Sequence, residues 1–285
     1  MAIVAGFVAF ALLAAACTPG GGASTTTTQV TTTTVAPTTT TTFAGPQYPV
    51  GGAVVVGVGR EPETLNPFIP GGDDPIVATI GQSYFAGVYD VDGFTLELIP
   101  EVVTELPTVA NGGVTVNDDG TMTVRYQIVD EAVWSDGIPI TGADFQFTFD
   151  TIMDPANRAT RTIYQDITET EFLGKTFSYT LAAPTVQFEL LFGVIIPKHE
   201  VEGTDFVADW NDTMWVSGGA FSFDTWSRGN DLSVVRNDNY WRSDPETGQQ
   251  LPYLDKVTFK FIPETESLIN AFKARELDVI QPPPS

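Results

Sequence analysis

Residues 24–42 are almost entirely threonine, interrupted after Ser24 only by Gln29, Val30, Val35, Ala36 and Pro37. A tract with so little apolar surface cannot build a core and stays extended and solvated. Whatever folds must therefore lie beyond it, in about 240 residues, enough for a substantial core or two lobes. From Cys17 to Tyr48 a stretched chain at about 3.3 Å per residue reaches roughly 100 Å. Residues 18–48 thus read as a stalk that holds the folded part, residues 49–285, away from a surface.

Ahead of the stalk lie sixteen small and apolar residues, ending in Leu13-Ala14-Ala15-Ala16 before the only cysteine, Cys17. The run is short for a bilayer span and suits the apolar region of a signal peptide. Small residues directly before a cysteine resemble a lipobox, with residues 1–17 as the leader and Cys17 as the lipidated residue. Ala14 stands where leucine is usual, and no Lys or Arg precedes the apolar run. A lone cysteine in an exported chain has no disulfide partner, and anchorage gives it a role.

The formal net charge is −23, from 36 acidic and 13 basic residues. No basic stripe is available to neutralise phosphates, so nucleic acid is excluded as a partner. His199 is the only histidine and has no second histidine or cysteine with which to hold a metal. No P-loop, nucleophile elbow or zinc-protease motif occurs. Neither a metal nor a cofactor is expected.

Along the folded part, Val54, Val55, Val56 and Val58 form a β-branched run that reads as a buried strand. Asp74-Pro75 opens a helix over residues 76–88, with Asp74 as its cap. Asn117-Asp118-Asp119-Gly120 is a turn between strands 114–116 and 121–129. Residues 141–153 carry Phe145, Phe147 and Phe149 at strand spacing, yet Phe145, Phe149 and Ile152 also fit a helix capped by Thr141, and the helix is preferred. Further strands are expected at 177–181, 188–192, 194–196, 232–236, 257–262 and 277–280. A helix is expected at 267–274 with Leu268 and Phe272 facing inward. This mixture argues α/β or α+β.

Five blocks occur in one order: Glu61-Pro62-Glu63-Thr64-Leu65-Asn66-Pro67; Trp134-Ser135-Asp136-Gly137-Ile138-Pro139-Ile140-Thr141; Ser217-Gly218-Gly219-Ala220-Phe221 with Trp226 behind it; Arg236-Asn237-Asp238-Asn239-Tyr240-Trp241; and Ala271-Phe272-Lys273-Ala274-Arg275-Glu276-Leu277-Asp278-Val279-Ile280. Together they resemble the family 5 extracellular solute-binding proteins, which serve peptide, nickel and related ABC importers. The resemblance implies a mixed α/β fold of the periplasmic-binding-protein-like type II class, with a smaller subdomain inserted near residues 84–167. The strand at 54–58, those after Phe177 and the segment 217–221 should share one sheet. Family members continue well past Ser285, so this chain resembles their front half, with the second lobe truncated. The expected function is extracytoplasmic substrate binding for an ABC importer, by a monomer lipid-anchored at the outer face of the membrane. Its partners are a peptide or small-molecule ligand and the permease subunits.

In peptide-binding relatives, backbone just past the first block pairs with the ligand, which points to Gly71, Gly72 and Asp73. A side chain from the stretch after Asp154-Pro155 lines the pocket there, which points to Arg161 for a ligand carboxylate and Tyr164 for an apolar group. Arg158 and Arg161 could instead pair with Glu169 and Glu171. Gly218 belongs to a crossing strand near the hinge. Trp215 either stacks on ligand or fills the core. The Trp134 turn reads as structural. Two other functional classes remain: a surface glycosidase using paired carboxylates, and a wall-associated adhesin, for which only the stalk speaks. Which ligand is carried, whether dipeptide, oligopeptide, nickel chelate or sugar, is not written in these residues.

Overall fold

The first strand, β1 (Ala53–Val58), follows the β-branched run, and in the computed structural model, which describes residues 47–93 and 95–281, only its end at Gly57 and Val58 is buried. The leader, Cys17 and most of the stalk lie outside the described residues. Asp74 caps α1 (Pro75–Gly81) as expected, its Oδ1 accepting the Ile76 N–H at 2.9 Å. The helix stops at Gly81 instead of reaching Val88. Residues 83–88 are claimed by tertiary backbone pairing: Ser83 O accepts from Phe221 N, Ala86 O from Ile195 N, and Val88 N donates to Phe192 O. Helix propensity over so short a stretch is outweighed by such bonds.

A short hairpin of β2 (Tyr89–Val91) and β3 (Leu98–Pro100) comes next. Then β4 (Val114–Val116) and β5 (Met122–Gln127) pair across the Asn117 turn, in which Gly120 adopts φ +88°. Thr141 and Asp144 form a reciprocal capping box on α2 (Gly142–Met153). The aromatic triplet resolves at helical spacing: Phe145 is fully buried in one core while Phe147 packs against another.

Strands β6 (Ile167–Leu173) and β7 (Thr176–Leu181) complete a four-stranded antiparallel sheet ordered β4-β5-β7-β6. This corrects the expectation that the strand after Phe177 joins the sheet of β1. Its alternation matches β5 instead, with Tyr126 opposite Phe177 and Val124 opposite Tyr179, all four buried. Residues 186–190 form a 3-10 turn where a strand was expected, capped by Thr185, whose Oγ1 accepts from Gln187 N. Residues 194–196 run into α3 (Lys198–Val201) without joining a sheet.

The remaining elements are β8 (Phe221–Ser227), β9 (Asp231–Arg236), β10 (Lys256–Phe261), α4 (Thr265–Lys273) and β11 (Val279–Gln281). They return to β1 and make a five-stranded sheet ordered β11-β1-β10-β9-β8, with β1 parallel to both neighbours. Leu268 of α4 is buried over Gly57, but Phe272 is 43 % exposed, against the inward position read from spacing.

Two hydrophobic cores result. The core of the larger, five-stranded sheet packs Val58, Leu65, Ile80, Tyr84, Trp215 and Phe221. The core of the smaller, four-stranded sheet packs Tyr126, Trp134, Phe145, Phe177, Tyr179 and Phe192. Trp134 and Phe221 therefore lie in different cores. The smaller core draws on residues from Ala86 through Ile195, beyond the limit of 167 read from the sequence, because β7 and the 3-10 turn belong to it.

Candidate functional site: the junction of the two cores

The first motif is strapped down by distant partners. The Glu61 carboxylate accepts the Trp226 indole N–H at 2.9 Å and the Gly229 N–H at 3.0 Å. Arg228 lies 3.4 Å over the Trp226 ring, donates to the carbonyls of Pro62 and Glu63, and pairs with Asp212. Asn66 is fully buried; its Oδ1 accepts from Phe68 N at 3.1 Å and its Nδ2 donates to Phe206 O at 3.0 Å. The Glu61 carboxylate, the Pro62 and Glu63 carbonyls and the Asn66 amide thus hold this loop against residues 206–229.

That loop also explains the glycines that follow. A Cβ on Gly72 would lie 2.0 Å from Asn66 O and 2.8 Å from the Pro67 backbone. The close approach at Gly72 is made by its own loop and leaves it buried, which removes the reason for placing a ligand's backbone there. Gly71 has φ +90° and Asp73 is exposed beside it.

The Ser217–Phe221 crossing is sewn between the cores. Ser217 Oγ donates to Tyr84 O at 2.6 Å, Ser135 N donates to Ser217 O at 2.6 Å, and Asn237 Nδ2 donates to Gly219 O at 2.8 Å. A Cβ on Gly218 would meet Ala86 Cβ at 2.6 Å and the Trp134 ring at 3.1 Å. Gly218 is therefore a packing residue between the two cores. His199 Nε2 lies 2.8 Å from Asp136 Oδ2, fastening α3 to the Trp134 turn.

Beside this junction an open cleft of about 640 Å³ separates Asp154, Asn157 and Arg158 from residues 203–208. It continues past Phe147, Asp150 and Thr151. Asp154 Oδ1 is occupied by the Ala156 N–H, and Asp205 Oδ1 by the N–H groups of Val207 and Ala208. Arg158 sits in the left-handed region at φ +54° and makes no ion pair among the described residues. The cleft thus offers one unpaired guanidinium between walls whose two carboxylates each have one oxygen engaged by backbone N–H groups.

The other sequence candidates fall elsewhere. Tyr164 belongs to the smaller core: its hydroxyl accepts from Phe192 N at 2.8 Å, its ring packs 5.3 Å from Phe192, and burial pushes its pKa above the ordinary tyrosine value. Arg161 is half-buried and shares no helical face with Tyr164, because Ile163 at φ +72° breaks the segment. Neither Arg158 nor Arg161 pairs with Glu169 or Glu171. Trp215 is core, 3 % exposed, and stacks 6.2 Å from Phe206, so it supports the cleft wall from behind. The 203–208 wall was missed altogether; its only sequence signal is the Gly203-Thr204-Asp205 turn. No group of three or more metal-ligating side chains occurs among the described residues.

One carboxyl at the junction titrates abnormally. Burial pushes the Glu101 pKa up to about 8; the Gly87 N–H at 2.8 Å and Arg242 oppose the rise, and Asp90 adds to it. The folded state therefore holds a proton that the unfolded chain releases. Stability contributed by this group is present at low pH and lost as pH rises between about 4.5 and 8. Glu101→Gln should be less pH-sensitive than the wild type across that window in urea titrations. Parallel pH profiles would contradict the assignment.

The family model of the bacterial extracellular solute-binding proteins, family 5 Middle, matches residues 97–285. Protein XP55 of Streptomyces lividans is 30% identical over 197 residues, covering 68% of this chain and 33% of that protein. The oligopeptide-binding protein OppA of Bacillus subtilis is 26% identical over 179 residues, covering 55% and 31%. The chain spans about a third of the length of these curated relatives. Among solved structures, the periplasmic EDTA-binding protein EppA superposes with a TM-score of 0.70 at 25% identity, over 86% of this chain and 46% of that one. An oligopeptide-binding protein from Thermus thermophilus, complexed with a pentapeptide, gives 0.67 at 22% identity, over 80% and 44%.

Proposed function

This chain belongs to the bacterial extracellular solute-binding proteins of family 5, and from that membership we propose that it supplies one wall of a receptor that takes a peptide, or a solute of similar size, outside the cytoplasm and delivers it to the permease of an ABC importer. The observation that carries this reading is the open cleft between residues 154–158 and residues 203–208. Its volume of about 640 Å³ falls in the range of small-ligand sites, roughly 300–1,000 Å³. Its one unpaired cation, Arg158, is suited to a ligand carboxylate, which a guanidinium can grip with two parallel hydrogen bonds. Arg161, three residues on, is a second cation within the same segment. Peptide is favoured because OppA of Bacillus subtilis and the dipeptide-binding protein DppE are relatives by sequence. Relatives named for other solutes, such as the monoacyl phosphatidylinositol tetramannoside-binding protein LpqW, keep the class wider than peptides.

Calorimetric titration of the complete receptor, of which this chain would supply one wall, with a panel of two- to nine-residue peptides tests this. The expected result is saturable one-to-one binding with every peptide recovered intact. Arg158→Ala should weaken peptides with a free C-terminal carboxylate by about ten- to a hundredfold and leave amidated ones unchanged, since a charge-assisted bond contributes about 1.5–3 kcal/mol. Cleavage of any peptide, or silence across the panel, would sink the receptor reading.

Anchorage through Cys17, at the foot of the threonine-rich stalk, belongs to the same proposal. In an exporting host, the wild type should take up a clickable palmitate and stay with the membrane, while Cys17→Ser is released. Equal release of both would remove the anchor.

A further inference from the structure

The smaller core contains a cavity that the junction does not use. Val88, Leu98, Leu106, Tyr126 and Phe188 supply most of its lining, and its volume is about 230 Å³. Val88, Tyr126 and Phe188 are buried and form the floor, whereas Thr108 and Glu189 are exposed at the mouth. The polar atoms of the floor are satisfied among themselves. Tyr126 Oη lies 3.0 Å from Tyr179 Oη, which in turn donates to Phe188 O at 3.4 Å. The floor therefore presents carbon.

The wall is held open by a separate hydrogen-bond set. Asn111 Oδ1 accepts from the N–H groups of Thr108 and Gly113 at 2.8 and 3.0 Å, and its Nδ2 donates to Leu106 O at 2.9 Å. These bonds fix the 106–113 loop without help from an occupant. An apolar cavity of about 150 Å³ is already large enough to stay dry and accept a benzene-sized guest. One of 230 Å³ is below the usual span of whole-ligand pockets, roughly 300–1,000 Å³, and fits a single apolar group. Outside the mouth, Val109 and Leu190, each next to a lining residue, are 73 % and 58 % exposed. The one charge in the lining is the Glu189 carboxylate.

We propose that this cavity is a second binding site, distinct from the cleft beside residues 203–208, for the apolar chain of a small organic cation of the alkylammonium class. The chain enters between Leu106 and Phe188, the ammonium stays in water beside Glu189, and carbons beyond the cavity's capacity lie on Val109 and Leu190. The surface carboxylate sets a preference for positive charge, and the apolar floor supplies the affinity.

The test is a titration of the whole protein, by ligand-observed NMR at low salt, with n-alkylammonium chlorides from propyl to octyl. Affinity should rise roughly three- to fourfold per added methylene and level off once the cavity is full. Hexan-1-ol should bind about two- to fivefold more weakly than hexylammonium, and hexanoate more weakly still, as expected for a screened surface charge. Glu189→Gln should bring hexylammonium and hexanol to equal affinity. Leu106→Trp, with an unchanged far-ultraviolet circular dichroism spectrum, should abolish binding of all three. No saturable binding by the wild type, an affinity that does not level off along the series, a charge preference surviving in Glu189→Gln, or full binding by a folded Leu106→Trp would each overturn the proposal.

Discussion

Replacing Trp134 by alanine should cost about 3–5 kcal/mol, the usual range for deleting a large aromatic from a closed core, and lower the melting temperature by about 10–15 °C in a domain of this size. Trp134 is fully buried, and its ring abuts the Gly218 crossing on one side and His199, 6.4 Å away, on the other. Its indole N–H has no hydrogen-bond partner among the described residues. That orphan donor gives the experiment a second arm. Trp134→Phe removes a buried polar group that is already unsatisfied while keeping much of the volume, so its loss should be only about 1 kcal/mol. Urea denaturation of both variants checks the pair. Equal losses for Phe and Ala would show that the N–H is satisfied in solution.

Gly72→Ala should be nearly as damaging, though the change is one methyl group at a turn. The added carbon would sit 2.0 Å from the Asn66 carbonyl, and the neighbouring obstacle is again backbone. Relief requires moving Asn66, whose side chain is fully buried and bonded to Phe68 and Phe206. Overpacking and the lost bonds together should cost about 3 kcal/mol. Because Phe206 lines the cleft, peptide affinity should fall as well, without any contact between residue 72 and ligand. A variant within about 1 kcal/mol of wild type and with unaltered affinity would contradict the packing argument.

What could be read from the chain beforehand divides along sequence distance. The Thr141–Asp144 capping box, the Asp74 cap and the Asn117–Gly120 turn are bonds between residues a few positions apart, and each forms as local chemistry demands. Where partners are distant, local pattern failed. The alternation of strand β7 fits either sheet, and only its match to β5 decides. Residues 83–88 carry a helical pattern but are pulled into backbone pairing with residues 192–195 and 217–221. The cleft shows the same limit: Asn66 meets Phe206 across 140 positions. Nothing near Arg158 marks loop 203–208 as its facing wall. An aromatic residue near arginines suits a ligand, but the Tyr164 hydroxyl has a backbone partner in Phe192.

Strand β1 lies between two parallel neighbours that both arrive late in the chain, paired as Ala53 with Lys256 and Val56 with Val279. The buried residues of the smaller core, by contrast, all come from Ala86 to Ile195, with Val216 and Trp241 packing against it from further along the chain. A chain delivered N-terminus first at about 5–20 residues per second can close the smaller core while β1 still waits, for roughly ten seconds or more, for its partners. During that interval β1 has two open edges and an unburied valine run, the state most prone to pairing with another chain. The topology thus places the moment of greatest aggregation risk during delivery, and it makes β1 the segment a chaperone would have most reason to cover.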